Sequence, residues 1–377
     1  MRRVVRVGIF SECYHPIENG VVASIDALCD GLRAAGHEAV IVAPAARAHA
    51  LAPEVRVPSL PLPTRTAYRL AVPVLGARAN ANLRSLSVIH THSPFVTGWM
   101  GVHYARRFGL PLVFTYHTQL EEYAHYVPFE RSATRRAAST LTRTYANLAY
   151  AVIVPTQAMA ERLRALGVSA PLSVIPTGID VERFAAGRRS SELRERLVRA
   201  PRTRLILLVS RLAREKNVEL AFAALAALDD PGAHLVLAGD GPQRPALEAA
   251  ARAAGLGSRV HFLGHVERGR LPELYASCDA FVFPSTTETQ GVVLAEAVVA
   301  GLPVVAAETP QTREVLGGSG ILASPTAEAF AEALKRALAG GRPQNAARLA
   351  LERFSIEVQT RRILDVYGWL LERRESA

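Results

Sequence analysis

Short apolar runs alternate with helix-period segments along all 377 residues of this chain, and that alternation leaves few folds open. Strands buried on both faces read as continuous apolar runs, and parallel strands need crossover helices between them. The pattern therefore predicts parallel sheets covered by helices on both sides, an α/β architecture. In the first half, strands are expected near 3–9, 39–43, 87–91, 111–116, 150–154 and 172–175, with a first helix running from about Val21 to Gly36. In the second half they are expected near 204–210, 234–238, 259–263, 280–283 and 302–305, with helices opening near Asn217, Pro242, Arg270 and Gly291. The change of unit falls around Pro176 to Phe184. A last helix from Ser355 carries Ile356, Ile363, Val366, Tyr367 and Leu370 on one stripe and needs a surface to cover, for which the domain junction is the expected place.

The length exceeds one ordinary core, so two domains of about 180 residues each are expected. Residues 1–178 form the first, 179–354 the second, and 355–377 the closing helix. A hydrophobic fraction of 49% with mixed charge excludes a disordered chain. The longest apolar runs fall short of a membrane span, so a protein in the cytoplasm or peripheral to a membrane is expected. The opening residues Met1 to Phe10 read as a first strand interrupted by Arg6 rather than as an export signal. Cys13, Cys29 and Cys278 are scattered with no metal-ligand spacing, as reduced thiols would be.

Charge is uneven along the chain. Residues 1–178 hold 18 arginines and no lysine against 10 acidic residues, while the rest carry 26 basic and 24 acidic. Residues 55–87 contain five arginines and no acid, and residues 131–150 add Arg131, Arg135, Arg136 and Arg143 among Leu141, Tyr145, Leu148 and Tyr150. Such a surface suits nucleic acid, an anionic membrane or a phosphorylated substrate.

Glu288 and Glu296 bracket Thr289-Gln290-Gly291, which runs into a predicted helix start. The first backbone N–H groups of a helix have no partner inside it, and the helix dipole makes that end positive. A diphosphate above Gly291, Val292 and Val293 would be held there, with a carboxylate on either side to accept sugar hydroxyls. Other phosphate motifs are missing. The first strand is followed by Ser11-Glu12-Cys13-Tyr14-His15-Pro16-Ile17-Glu18-Asn19-Gly20 rather than G-x-G-x-x-G, Gly239-Asp240-Gly241 lacks a third glycine, and no P-loop occurs. NAD-dependent chemistry becomes a minor alternative.

Several segments, in this order, resemble the GT-B glycosyltransferases of glycosyltransferase family 4. They are Asn19-Gly20-Val21, His90-Thr91-His92, Thr115-Tyr116-His117-Thr118, Val174 to Asp180, Ser210-Arg211 with Lys216, Gly239-Asp240-Gly241-Pro242, and Glu288 to Glu296. The resemblance implies two Rossmann-like doubly wound domains, a nucleotide sugar bound mainly by the second, an acceptor mainly by the first, a cleft between them, and transfer with retention. It further implies that Arg211 and Lys216, one of only two lysines in the chain, neutralise the diphosphate, that Glu296 binds the ribose hydroxyls, and that Glu288 contacts the hexose. Amides at Gly291 and Val292 would take the developing charge. Gln290 and Val266 join them on the donor side. Gly20 would let backbone approach the same group, and His117 resembles the histidine that meets the sugar from the acceptor side. His90 and His92 are read as lying behind it.

No D-x-D pair occurs, so no metal cofactor is expected; the cations and the helix end would replace it. Thr287-Glu288-Thr289-Gln290-Gly291, together with Thr115 to Thr118, Glu121-Glu122-Tyr123, His125-Tyr126 and Pro128, is similar to the diacylglycerol glucosyltransferases. That resemblance implies a hexose moved from UDP-glucose to a lipid acceptor at the inner face of the cell membrane, with the basic first domain on the anionic surface and no nucleic acid as partner. A GDP-mannose-dependent phosphatidylinositol mannosyltransferase is the nearest alternative. A non-catalytic lipid- or nucleotide-binding module is the alternative of another class.

Overall fold

The first sheet of the computed structural model is built from strands β1 (Arg6–Phe10), β2 (Glu38–Pro44), β3 (Glu54–Val57), β6 (Val88–Thr91), β7 (Leu112–Thr115), β8 (Ala151–Val154) and β9 (Leu172–Val174). All its pairings are parallel, in the order β3-β2-β1-β6-β7-β8-β9. A hairpin of β4 (Ser59–Pro61) and β5 (Arg69–Ala71) stands apart. The structure describes residues 4–45, 54–61, 68–126, 130–198, 203–342 and 346–376. Arg65, Pro128 and residue 3 of the expected first strand lie outside the described residues, as do the side chains of His125 and Tyr126.

The second sheet contains β10 (Arg204–Val209), β11 (Ala233–Ala238), β12 (Val260–Gly264), β13 (Ala280–Phe283), β14 (Val304–Ala307) and β15 (Ile321–Ala323), in the order β12-β11-β10-β13-β14-β15. In each sheet the strands grow outward in one direction from the first strand and then restart on its other side. That is the doubly wound Rossmann-like arrangement, and it opens a crevice at the C-terminal ends of the strands where the order reverses. The switch points lie between β1 and β6 and between β10 and β13.

The apolar runs explain the burial. In β10, Leu205 to Leu208 are at most 2% exposed because helices cover both faces of the sheet. Three strand segments escaped the sequence reading. Glu54–Val57 and Ile321–Ala323 are short edge strands and the hairpin is separate, so none presents a long apolar run. The strand expected at 302–305 begins later, at Val304, after Pro303, which has no N–H to give to a ladder.

The chain divides into two compact units, Met1–Gly178 with Ile356–Ala377, and Ile179–Ser355. The final helix, Ile356–Glu375, thus belongs to the first unit, where Ile363, Tyr367 and Leu370 are buried. It packs on the helix Gly20–Ala34. Gly31 permits the contact, since a Cβ there would lie 1.8 Å from Thr360 Oγ1. Among the described residues no helix is long and apolar enough to cross a membrane.

Candidate active site

The loops following β10 and β13 are stitched together at the switch point of the second unit. The Lys216 ammonium lies 2.5 Å from Glu288 Oε1, and the Ser285 hydroxyl lies 2.8 Å from the same oxygen. Both partners of the ion pair are 18% exposed, which leaves them accessible yet largely desolvated. Ser285 Oγ is also 3.2 Å from the Glu215 carbonyl, and Asn217 donates to the Pro284 carbonyl at 3.4 Å. Lys216 ends a 3₁₀ turn, Arg214–Lys216, just before the helix Val218–Ala227 rather than opening that helix. Arg211 donates to Glu215 Oε1 at 2.6 Å, which anchors the guanidinium to a carboxylate that is itself buried.

Gly291 sits between this pair and the helix Val292–Val299 with φ +76°, a left-handed conformation that favours glycine. A Cβ there would come within 3.0 Å of Phe283 Cζ. The helix therefore starts at the C-terminal edge of the sheet, where the amides of Val292 and Val293 offer the donors that every helix start has. Gln290 is buried, and Val266, in the loop after β12, packs against the core.

Glu296 stands one turn inside that helix and is only 2% exposed. Tyr275 donates its hydroxyl to Oε2 at 3.0 Å, and Arg268 approaches Oε1 at 3.4 Å. Burial raises the proton affinity of this carboxyl above the usual carboxylate range, against the opposing pull of Arg268 and Tyr275. The charge on Glu296 thus depends on those two partners. Neither was selected from the sequence, since nothing in the spacing of Arg268 and Tyr275 points to Glu296.

Gly239-Asp240-Gly241 has a packing role. A Cβ on Gly239 would lie 1.9 Å from the Ser210 carbonyl, and one on Gly241 2.3 Å from the Leu212 carbonyl. These glycines let the loop after β11 lie flat against the segment that carries Arg211.

In the first unit, Asn19 caps the helix Gly20–Ala34 by accepting from Val22 N at 2.9 Å. A Cβ on Gly20 would meet nothing within 4 Å, so the space in front of that residue is open. His117 follows β7 and is half-buried, with Nε2 2.8 Å from His92 Nδ1. Loss of solvation pushes it down to about 4, so the ring is neutral near pH 7. His90, fully buried, bonds Tyr367 Oη through Nδ1 and Thr115 Oγ1 through Nε2, each at 2.6 Å, and burial together with the neighbouring His117 lowers it to about 3. His92 is therefore a direct neighbour of His117, while His90 ties the strand end to the C-terminal helix. Arg131, Arg135, Arg136 and Arg143 lie exposed on the helix Arg131–Ala146, with Arg135 paired to Glu122 at 2.9 Å.

Comparison with known proteins follows the same division. Residues 18–183 match the model described as Glycosyltransferase Family 4, and residues 190–351 match Glycosyl transferases group 1. The chain is 29% identical over 317 residues to an alpha-monoglucosyldiacylglycerol synthase of Acholeplasma laidlawii, covering 80% of each. It is 36% identical over 324 residues to a GDP-mannose-dependent alpha-mannosyltransferase of Mycobacterium tuberculosis, covering 83% of this chain and 81% of that one. An Anabaena protein, HepE, solved with UDP and glucose, superposes with a TM-score of 0.76 at 22% identity, over 97% of this chain and 100% of the other. With two Rossmann-like sheets and these relatives, the chain belongs to glycosyltransferase family 4 and is a glycosyltransferase of GT-B fold.

Proposed function

We propose that this enzyme transfers glucose from UDP-glucose, with retention at the anomeric carbon, to the free hydroxyl of diacylglycerol at the inner face of the cell membrane. The observation that carries the site assignment is the Lys216–Glu288 contact at the switch point, beside the helix start at Gly291. A diphosphate there is met by Lys216, by Arg211 on its Glu215 anchor and by the first helix amides, so the leaving group is neutralised as the glycosidic bond breaks. Glu288, relieved of Lys216 by the phosphate, accepts from the hexose, while Glu296, oriented by Tyr275, accepts from the ribose. On the acceptor side the neutral His117 meets the sugar, and Gly20 leaves room for backbone to approach the phosphate. Among the described residues none stands out as a nucleophile, which favours front-face attack within an ion pair over a covalent intermediate.

The glucolipid acceptor is supported by the glucosyldiacylglycerol synthase among the relatives. Exposed arginines of the first unit support attachment to an anionic leaflet, where each gains roughly 1 kcal/mol. The 36% identity to a mannosyltransferase favours a second reading, mannosyl transfer from GDP-mannose. Measuring transfer from UDP-glucose, UDP-galactose and GDP-mannose across a panel of lipid hydroxyls separates the two, and turnover of none of these would sink both. Activity is expected to survive EDTA. A loss of more than tenfold on chelation, restored by added divalent metal, would overturn the metal-independent site.

A further inference from the structure

The first unit contains a pocket that the donor chemistry does not use. It encloses about 830 Å³, within the roughly 300–1,000 Å³ of small-molecule sites. One wall is a stripe of the helix Val96–Phe108, where Val96, Trp99, Met100 and His103 recur at helical spacing; Leu70 of the hairpin and Leu141 also line it. Phe95, Trp99 and Leu70 are 45%, 42% and 46% exposed although they line one cavity, and Leu60, 59% exposed, stands opposite Leu70 across the hairpin. Clustered exposure of large apolar side chains marks a binding surface.

Three observations select the occupant. The arginines of the helix that contributes Leu141 lie exposed, as do Arg106 and Arg107 on the stripe's own helix, so an apolar mouth is set in basic surroundings, as a membrane-facing site would be. Glu12 is the carboxylate in the lining; its Oε2 is fixed by Thr97 N at 2.9 Å and Thr97 Oγ1 at 2.7 Å. Arg69, also in the lining, is held by Ser59, donating from Nε to Oγ and from Nη2 to the carbonyl oxygen, each at 2.8 Å. The lining thus sets a carboxylate against a guanidinium, suits a neutral lipid, and lets Glu12 accept from its hydroxyl. Finally, Glu12 follows β1 and Phe95 follows β6, so the pocket opens at the same edge of the sheet as His117, which follows β7.

We propose that this pocket binds one acyl chain of an uncharged glycerolipid acceptor, with Glu12 receiving a glycerol hydroxyl. The proposal rests on the lipid-acceptor reading above. It makes chain length a determinant of acceptor affinity, each further buried methylene contributing about fourfold until the pocket is full.

Trp99 and Trp369 are the chain's two tryptophans, and Trp369 is an exposed residue of the C-terminal helix, so the Trp369→Phe protein reports Trp99 alone. The probe is a series of monoacylglycerols brominated on the chain, each below its micelle concentration. Expected is saturable quenching of Trp99 that tightens about fourfold per methylene and is lost in Met100→Glu and in Leu70→Asp, the second at an exposed position where folding is not at stake. Absence of saturable quenching at monomer concentrations overturns the proposal, as does quenching that arises only with vesicles, which would make this a membrane-docking face. Transfer to long-chain acceptors without such quenching rejects the pocket and leaves the lipid-acceptor reading standing. Quenching with no transfer to any lipid hydroxyl would reject that reading while the chain-binding pocket stands.

Discussion

Lys216 and Glu288, 72 residues apart in sequence, meet at 2.5 Å across the point where the strand order of the second sheet reverses. The contact is a consequence of topology. β10 and β13 are parallel neighbours, so the loops leaving their C-terminal ends must share one edge.

Replacing either member of this pair tests the donor assignment. Lys216→Ala and Glu288→Ala are expected to lower kcat/KM by on the order of a hundredfold, since each removes a group placed against developing charge. The melting temperature should fall as well, because truncating one partner leaves the other charge unpaired in a largely desolvated position. A folded Glu288→Ala enzyme with unchanged transfer would reject the assignment.

Tyr275→Phe removes one hydrogen bond to Glu296 while leaving the ring to pack. The donor KM is expected to rise roughly two- to tenfold, the range of a single lost hydrogen bond, with kcat nearly unchanged. Glu296→Gln should impair donor binding more strongly and leave the melting temperature equal or higher, because it removes an acid whose ionisation burial opposes. A fall in kcat with KM untouched in Tyr275→Phe would place Tyr275 elsewhere in the reaction.

Gly20 and Gly291 separate fold from function. Gly291→Ala introduces a Cβ at φ +76° and 3.0 Å from Phe283, so it is expected to cost about 1–3 kcal/mol of stability. Gly20→Ala meets nothing within 4 Å in a helical first position, so stability should hold or rise while kcat/KM falls. Unchanged kinetics in Gly20→Ala would remove Gly20 from the site.

The histidine cluster sets a pH dependence. His90, His92 and His117 all have proton affinities depressed by burial, to about 3 for His90 and about 4 for His117, from an ordinary value of 6.5. The unfolded chain therefore binds more protons at these sites than the native one below about pH 6.5, and stability falls with falling pH. The loss should begin near pH 6.5 and continue to about pH 4 for His117 and about pH 3 for His90, with each histidine contributing at most about 1.4 kcal/mol per pH unit. Denaturant titrations at steps across that window measure it. Flat stability between pH 6.5 and 4 would contradict the buried neutral rings, and a His90→Phe variant should reduce the slope.

Much of the frame was legible in one dimension. The expected β10 and β13 coincide with the observed strands to within a residue, because runs of five and four buried apolar residues have few other uses. The helix starts at Gly291 and near Val21 were legible for a similar reason: both depend on local backbone chemistry, and the structure adds the Asn19 side-chain cap to the second. Edge strands such as Glu54–Val57 were not, since an edge position needs neither length nor continuous burial.

The side-chain pairings belong to the tertiary structure. Tyr275 and Arg268 on Glu296, Glu215 on Arg211, and the chain from Tyr367 through His90 link residues whose separation in sequence carries no periodic signal. The sequence alone determined the alternation of strand and helix, the local start of the helix at Gly291, and which residue types stand at strand ends, because those follow from short-range burial and backbone hydrogen bonding. Which carboxylate is buried with a raised proton affinity, which histidine touches His117, and where an apolar pocket opens were decided only when the sheets closed, because desolvation and hydrogen-bond partnership are properties of neighbours in space.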